Sequence, residues 1–214
     1  MKILVTGSKG MLAQDLIPVL QGSHEVIPLS RREMDITQKE IIFDKIGDIS
    51  PELVINCAAY RDVDRAEAAE EREKVFLTNA IGVQNLALAC AERQIPLCHI
   101  STDYVFDGKK NYPYSPFDAT NPLNVYGESK LAGEEYVQWI MDRFYIVRVC
   151  GLYGRGGSNF VTTILKLARE NSRVKVVNDQ IGSPTYTKSL VNGIKRLVES
   201  GSFGIYHIAD DSGE

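Results

Sequence analysis

The sequence predicts an α/β fold built on a doubly wound parallel sheet, with a small C-terminal portion. Three observations carry that expectation. Short apolar runs alternate with segments of helical periodicity along most of the chain, the pattern of parallel strands joined by right-handed helical crossovers. The first run, residues 2–6, leads at once into Gly7-Ser8-Lys9-Gly10-Met11-Leu12-Ala13. The run at 97–100 ends in the polar triplet Ser101-Thr102-Asp103, at the carboxyl edge where open α/β sheets bind ligands.

Composition narrows the class. The 214 residues suit one large domain, or one domain with a small appendage, and can bury a full core. Apolar residues make up 44% and charged residues 24%, an ordinary globular balance. The net charge of −4 gives no basic footprint for nucleic acid. No run approaches the roughly 18 apolar residues of a membrane helix, and the opening run is too short for a signal peptide. The four cysteines, Cys57, Cys90, Cys98 and Cys150, sit in apolar runs without C-x-x-C spacing. They read as buried, reduced thiols of a cytoplasmic protein. His24, His99 and His207 lie near predicted strands and far apart, so no metal site is expected.

In chain order, strand 2–6 and helix 14–20 flank the glycine turn. That is the phosphate-binding element of a Rossmann-like dinucleotide fold: Gly7 permits the tight turn, Gly10 lets the backbone approach a pyrophosphate, and Ala13 permits close helix–strand packing. The spacing is G-x-x-G-x-x-A, not the more common G-x-G-x-x-G. Strand 24–29 ends in Ser30-Arg31-Arg32. An acid here binds ribose hydroxyls and an Arg accommodates a 2′-phosphate, so Arg31 favours NADPH over NADH. Asp35 or Thr37 caps a helix at 38–46, or Asp35 and Ile36 lie beside the adenine. Strand 53–56 runs into Cys57-Ala58-Ala59-Tyr60, whose small Ala58 and Ala59 leave room for a cofactor. Residues 62–72 read as a charged loop or helix start, and 73–94 as a long helix. Within it Asn79 is either a satisfied buried amide or a support for Lys130. Further strands are expected at 97–100, 145–149, 174–177 and 204–208, and helices at 126–141, 159–170 and 188–199.

Tyr126-Gly127-Glu128-Ser129-Lys130 places Tyr and Lys four apart, on one helical face one turn apart. A lysine ammonium beside a phenol lowers the phenol pKa, by as much as about three units at 4 Å and an effective dielectric near 20. That would bring the phenol towards neutrality, where acid–base catalysis works best. The same spacing also describes many solvated helix faces, so it gains meaning from the glycine turn and from Ser101-Thr102-Asp103.

Together these residues resemble the extended short-chain dehydrogenase/reductase family, and most its dTDP-4-dehydrorhamnose reductase branch. The resemblance spans the chain: Asn56-Cys57-Ala58-Ala59-Tyr60, Val63-Asp64-Arg65-Ala66-Glu67, Ser101 to Gly108, Pro122-Leu123-Asn124-Val125-Tyr126-Gly127, Lys130 to Glu134, Asn178 to Thr185, and Tyr206-His207. It implies hydride transfer from NADPH or NADH to the 4-keto group of a nucleotide-linked deoxysugar. Tyr126 would protonate the alkoxide, Lys130 would hold the nicotinamide ribose, Thr102 would donate to the carbonyl oxygen, and Asp103 would contact substrate or relay a proton. The cofactor would lie on Gly7, Gly10, Met11 and Leu12, with Ala58, Ala59 and Tyr60 under its far half.

The resemblance also implies a division into a dinucleotide-binding region, 1–150, and a partial substrate-binding region, 151–214, interleaved with the sheet. The C-terminal region is shorter than the family's, Gly151 stands where these reductases often carry Trp, and Arg31 replaces an acid. The expected partner is a small sugar nucleotide, with no nucleic acid or membrane, and a homodimer is the assembly to test. Two rivals stay open. One is an epimerase or dehydratase that retains NAD, and the other is a binding subunit resembling the regulatory subunit of methionine adenosyltransferase.

Overall fold

β1 (Lys2–Thr6) is buried from Ile3 to Thr6, as a parallel strand covered on both faces must be. The computed structural model describes residues 1–157 and 159–210. Ser158 in the glycine-rich stretch and residues 211–214 at the C-terminus lie outside the described residues. Six strands form one parallel sheet: β1, β2 (Glu25–Leu29), β3 (Leu53–Asn56), β4 (Leu97–Thr102), β5 (Phe144–Val149) and β6 (Gly204–His207). Their order is β2-β1-β3-β4-β5-β6. The chain reverses direction of winding between β1 and β3, and such a switch point opens a ligand crevice at the carboxyl edge.

Each face of the sheet has its own core. On one, α2 (Lys39–Ile49), α5 (Gly82–Glu92) and α6 (Val125–Ile140) contribute Ile42, Leu86 and Val137 over Leu4 and Val54. On the other, α1 (Met11–Gln21) and α8 (Thr187–Ser200) place Leu16 and Ile194 over Ile3 and Ile55, while α7 (Phe160–Glu170), preceding α8 in the chain, buries none of its residues. The expected doubly wound sheet is therefore present, and β6, from the last third of the chain, pairs with β5 as its edge strand.

Several local expectations are corrected. Residues 174–177 form no strand; Val176 and Val177 are exposed and find no partner strand. α1 begins at Met11, directly after Gly10, rather than at 14. Neither Asp35 nor Thr37 caps α2, whose first turn follows Gln38 with no side-chain cap; Asp35 instead accepts from the Thr37 N–H at 3.0 Å, closing a local turn. The long helix starts earlier, as α4 (Ala69–Phe76), after a short α3 (Val63–Ala66), and passes through a π segment (Leu77–Ile81) into α5. Ala69–Glu92 is long and apolar enough by composition to cross a membrane, a match the sequence reading missed, but 56% of its most apolar window is buried inside the fold.

Candidate active site

The glycine turn is shaped by contact with the end of β3. Gly7 has φ +62°, and a Cβ there would stand 2.7 Å from the Ala58 nitrogen. Only glycine tolerates both the left-handed backbone and that approach. Gly10 donates its N–H to the Gly7 carbonyl at 2.8 Å and serves as the N-cap of α1 without any side-chain cap. The first N–H groups of α1 are thus left for a ligand, as a pyrophosphate site requires. Gly7, Gly10, Met11 and Ala58 come together here, and Ala59 is exposed beside them. Leu12 buries its side chain in the core, so only its main chain faces the turn.

At the end of β2 the charges are already paired. Arg31 Nε donates to Asp35 Oδ2 at 2.9 Å. Partial burial works against it, but the Thr37 N–H and Arg31 hold the Asp35 carboxyl below its usual range. Glu33 accepts from the Ser30 hydroxyl at 2.6 Å and the Ser30 N–H at 2.8 Å, and these bonds lower its pKa. Ile36 points into the core, and its carbonyl accepts from Asn85 Nδ2 at 3.2 Å.

The second cluster forms where α6 meets the end of β4. Asn124 caps α6 by accepting from the Gly127 N–H at 2.7 Å. A Cβ on Gly127 would lie 2.3 Å from the Tyr104 carbonyl oxygen, so glycine alone lets the first turn of α6 close on the 3₁₀ turn Asp103–Val105. That approach brings Tyr126 to Thr102. The Thr102 hydroxyl accepts from the Tyr104 N–H at 3.2 Å and donates to Asp103 Oδ1 at 3.1 Å. Burial pushes the Tyr126 phenol up to about 12, opposed by a hydrogen bond with Thr102 and reinforced by the Asp103 charge. Cys150, at the end of β5, reaches the same carboxylate; burial and then Asp103 push its thiol up to about 12.

The expected lowering of the Tyr126 pKa by Lys130 does not occur in this arrangement. Lys130 is buried, and its Nζ lies 2.6 Å from the Ile100 carbonyl and 3.2 Å from His99 Nε2. Its charge is directed into the sheet instead of at the phenol. Burial brings Lys130 down to about 8, against the nearby Glu134 and Cys57. The Asn79 amide is satisfied elsewhere. It accepts from the Tyr60 N–H at 2.8 Å and donates to the Tyr60 carbonyl and Ser129 Oγ, each at 3.0 Å. Asn79 thus clamps the strand-end loop and ties it to Ser129, the residue before Lys130 on α6. The Tyr60 ring packs with Val75, Val125 and Tyr126, while both its main-chain N–H and carbonyl are taken by Asn79.

Sequence reasoning missed three polar residues beneath the site. Thr6, Asn56 and His99 are opposite one another on neighbouring strands β1, β3 and β4, all fully buried. Thr6 Oγ1 donates to Asn56 Oδ1 at 2.6 Å, and Asn56 Nδ2 lies 3.0 Å from His99 Nδ1. The one available signal was polar side chains within otherwise apolar strands, each of which alone reads as a satisfied core group.

Similarity to known proteins matches this geometry. Residues 1–213 match the family model described as "RmlD substrate binding domain". The spore coat polysaccharide biosynthesis protein SpsK of Bacillus subtilis (strain 168) is 42% identical over 98% of this chain and 73% of its own length. The dTDP-4-dehydrorhamnose reductase of Aggregatibacter actinomycetemcomitans is 38% identical over 98% of this chain and 74% of its own. A crystal structure of dTDP-4-dehydrorhamnose reductase from Bacillus anthracis str. Ames in complex with NADP superimposes with a TM-score of 0.94 at 38% identity, covering 99% of this chain and 75% of that one. With that family model matched over residues 1–213 and the sheet order and glycine turn in place, the chain belongs to the RmlD substrate binding domain family.

Proposed function

We infer that the chain is an NAD(P)H-dependent reductase acting on the 4-keto group of a nucleotide-linked deoxysugar, of the dTDP-4-dehydrorhamnose reductase type. Several relatives at 38–42% identity carry that name or describe a related keto-sugar reduction. The observation that carries the reading within this chain is the convergence of Thr102 and Tyr126 on the carboxyl edge beside the Gly7–Ala58 crevice. The uncapped start of α1 and the cradle that a Cβ at Gly7 would fill suit a dinucleotide; when bound, its reduced nicotinamide supplies the hydride.

Each residue then has a defined task. Gly7 and Gly10 shape the turn, Met11 and Leu12 would offer their main-chain N–H groups to the pyrophosphate, and Ala58, Ala59 and Tyr60 would floor the crevice. Arg31, with Asp35 and Ile36 behind it, faces the adenosine end and favours NADPH. Tyr126, kept protonated by its raised pKa, gives its hydroxyl proton to the substrate oxygen as that oxygen gains an electron pair. Thr102 would turn its hydroxyl from Asp103 to the same oxygen, and Lys130 would orient the ribose by turning its amino group out from the Ile100 carbonyl and His99. Asp103, with Cys150 beside it, contacts the sugar. This reading puts residues 151–214 on the substrate side of the division and 1–150 on the cofactor side. Four unpaired cysteines support a reducing, cytoplasmic setting, and a homodimer is part of the reading, checked by light scattering.

The deciding experiment is a titration with NADPH and NADH by nicotinamide fluorescence, followed by turnover of a dTDP-4-keto-6-deoxyhexose. Binding with substrate-dependent oxidation of NADPH supports the reductase. Purified protein carrying stoichiometric NAD, or binding with no turnover and a stable protein partner, would move the assignment to an epimerase or to a binding subunit.

A further inference from the structure

The buried row Thr6–Asn56–His99–Lys130 has a direction. Asn56 Oδ1 receives two donors, the Thr6 hydroxyl at 2.6 Å and the Ala58 N–H at 3.1 Å. A main-chain N–H can only donate, so the oxygen of the amide is fixed on that side and Nδ2 faces His99 Nδ1 at 3.0 Å. An amide nitrogen donates, so His99 Nδ1 is the acceptor. A neutral imidazole with Nδ1 accepting carries its proton on Nε2, and Nε2 lies 3.2 Å from Lys130 Nζ. An amine can accept that proton's hydrogen bond and still donate to the Ile100 carbonyl at 2.6 Å. An ammonium has no lone pair and would oppose N–H to N–H.

We propose that Asn56, acting through the tautomer of His99, disfavours the ammonium form of Lys130 and ties its protonation to the strand-end loop that carries Ala58. The inference rests on the reductase reading only for its kinetic readout. Protonating Lys130 requires His99 to move its proton from Nε2 to Nδ1, and the Asn56 amide must then rotate to present oxygen. Rotation withdraws the acceptor from the Thr6 hydroxyl and leaves the Ala58 N–H, the N–H beside Gly7, only its longer 3.4 Å bond to Thr6 Oγ1. His99 and Asn56 are positioning residues in this scheme: neither touches the reacting atoms.

The other groups facing Lys130 do not supply this effect. Glu134, one turn along α6, favours the ammonium but is occupied by Arg148 of β5 and by Ser101. Cys57, at the end of β3, is held as a neutral thiol by burial, with its pKa raised to about 12. Tyr126, one turn back on the same helix, is a neutral phenol, and Asn79 is uncharged. Burial holds the His99 pKa well below its ordinary value, and the Lys130 charge lowers it further, which keeps the ring neutral as the scheme needs.

The test is the tautomer of His99, read by long-range nitrogen–proton NMR of ¹⁵N-histidine-labelled full chain at pH 9, in the unmodified protein and in Asn56→Asp. A carboxylate at position 56 accepts from Nδ1–H and reverses the row. The expected result is Nε2–H in the unmodified protein and Nδ1–H in the variant. Nδ1–H in the unmodified protein, or one tautomer in both, overturns the proposal; the unmodified spectrum decides even where the variant does not fold. In turnover, Asn56→Asp moves the alkaline limb of the kcat/KM profile up by about one pH unit, and an unmoved limb counts against the proposal. Absence of turnover in both proteins would refute the reductase reading while leaving the tautomer result standing.

Discussion

Glu134 and Arg148 form a bidentate pair inside the fold, with Arg148 Nη2 2.7 Å from Oε2 and Nε 3.1 and 3.2 Å from the two carboxylate oxygens. The pair joins α6, which carries Tyr126 and Lys130, to β5, and Ser101 of β4 donates to the same carboxylate at 2.5 Å. Arg148 also lies over the Phe106 ring, 5.0 Å from its centroid. Removing one member leaves an uncompensated buried charge. Glu134→Ala should therefore cost about 3–5 kcal/mol in urea unfolding. Joint replacement of both residues by Leu and Met should cost clearly less, and equal losses would show that the pair is not the coupling element.

In the reductase reading, Tyr126→Phe removes the hydroxyl whose proton passes to the substrate oxygen. Turnover should fall about 10²- to 10⁴-fold, with NADPH affinity by fluorescence changed by less than about twofold. Near-normal turnover would transfer the acid role to Asp103 or a water.

Gly7→Ala combines a strained backbone at φ +62° with a Cβ 2.7 Å from the Ala58 nitrogen. The strain alone costs about 1–3 kcal/mol, and the clash separates the turn from the end of β3. Cofactor binding should be lost by fluorescence titration, together with a lowered thermal midpoint. An affinity equal to the unmodified chain would mean that the crevice does not hold the pyrophosphate.

Arg31 starts out paired with Asp35, so a 2′-phosphate competes with an internal partner. Arg31→Ala should weaken NADPH about 10- to 100-fold and leave NADH nearly unchanged. Asp35→Asn should tighten NADPH by about 1.5- to 5-fold, the worth of an exposed pair. Parallel changes for both cofactors would remove Arg31 from the selectivity argument.

Lys130 titrates near 8 in the folded chain against an ordinary 10.5. Between those values the unfolded chain binds more protons, so this group makes stability rise with pH through that window and destabilises the fold below it. Lys130→Met should therefore gain stability relative to the unmodified chain at pH 7 and lose that advantage by pH 10.5, a swing of about 3 kcal/mol. Urea midpoints at the two values measure it, and a pH-independent difference would mean that burial does not depress the lysine.

Legibility in the sequence followed range. The strands at 2–6, 53–56 and 145–149 were readable because a doubly covered parallel strand is a continuous apolar run. The helix holding Tyr126 was readable from its period. Residues 174–177 have the same composition as a strand, yet among the described residues no neighbour pairs with them, and pairing is not encoded in a single run. Asp35 looked like a helix cap because its type fits one, but its carboxylate is taken by Thr37 and Arg31.

The sequence by itself determined the alternation of strand and helix, the glycine turn, and the single helical face shared by Tyr126 and Lys130. These are decided by sterics and periodicity within a few residues. Only the tertiary structure decided where the Lys130 amino group points. Thr6, Asn56 and His99 are 50 and 43 residues apart along the chain and become one row only through the register of β1, β3 and β4. In that buried row each polar group must find a partner. Lys130 takes His99 and the Ile100 carbonyl, and the phenol one turn away keeps its proton.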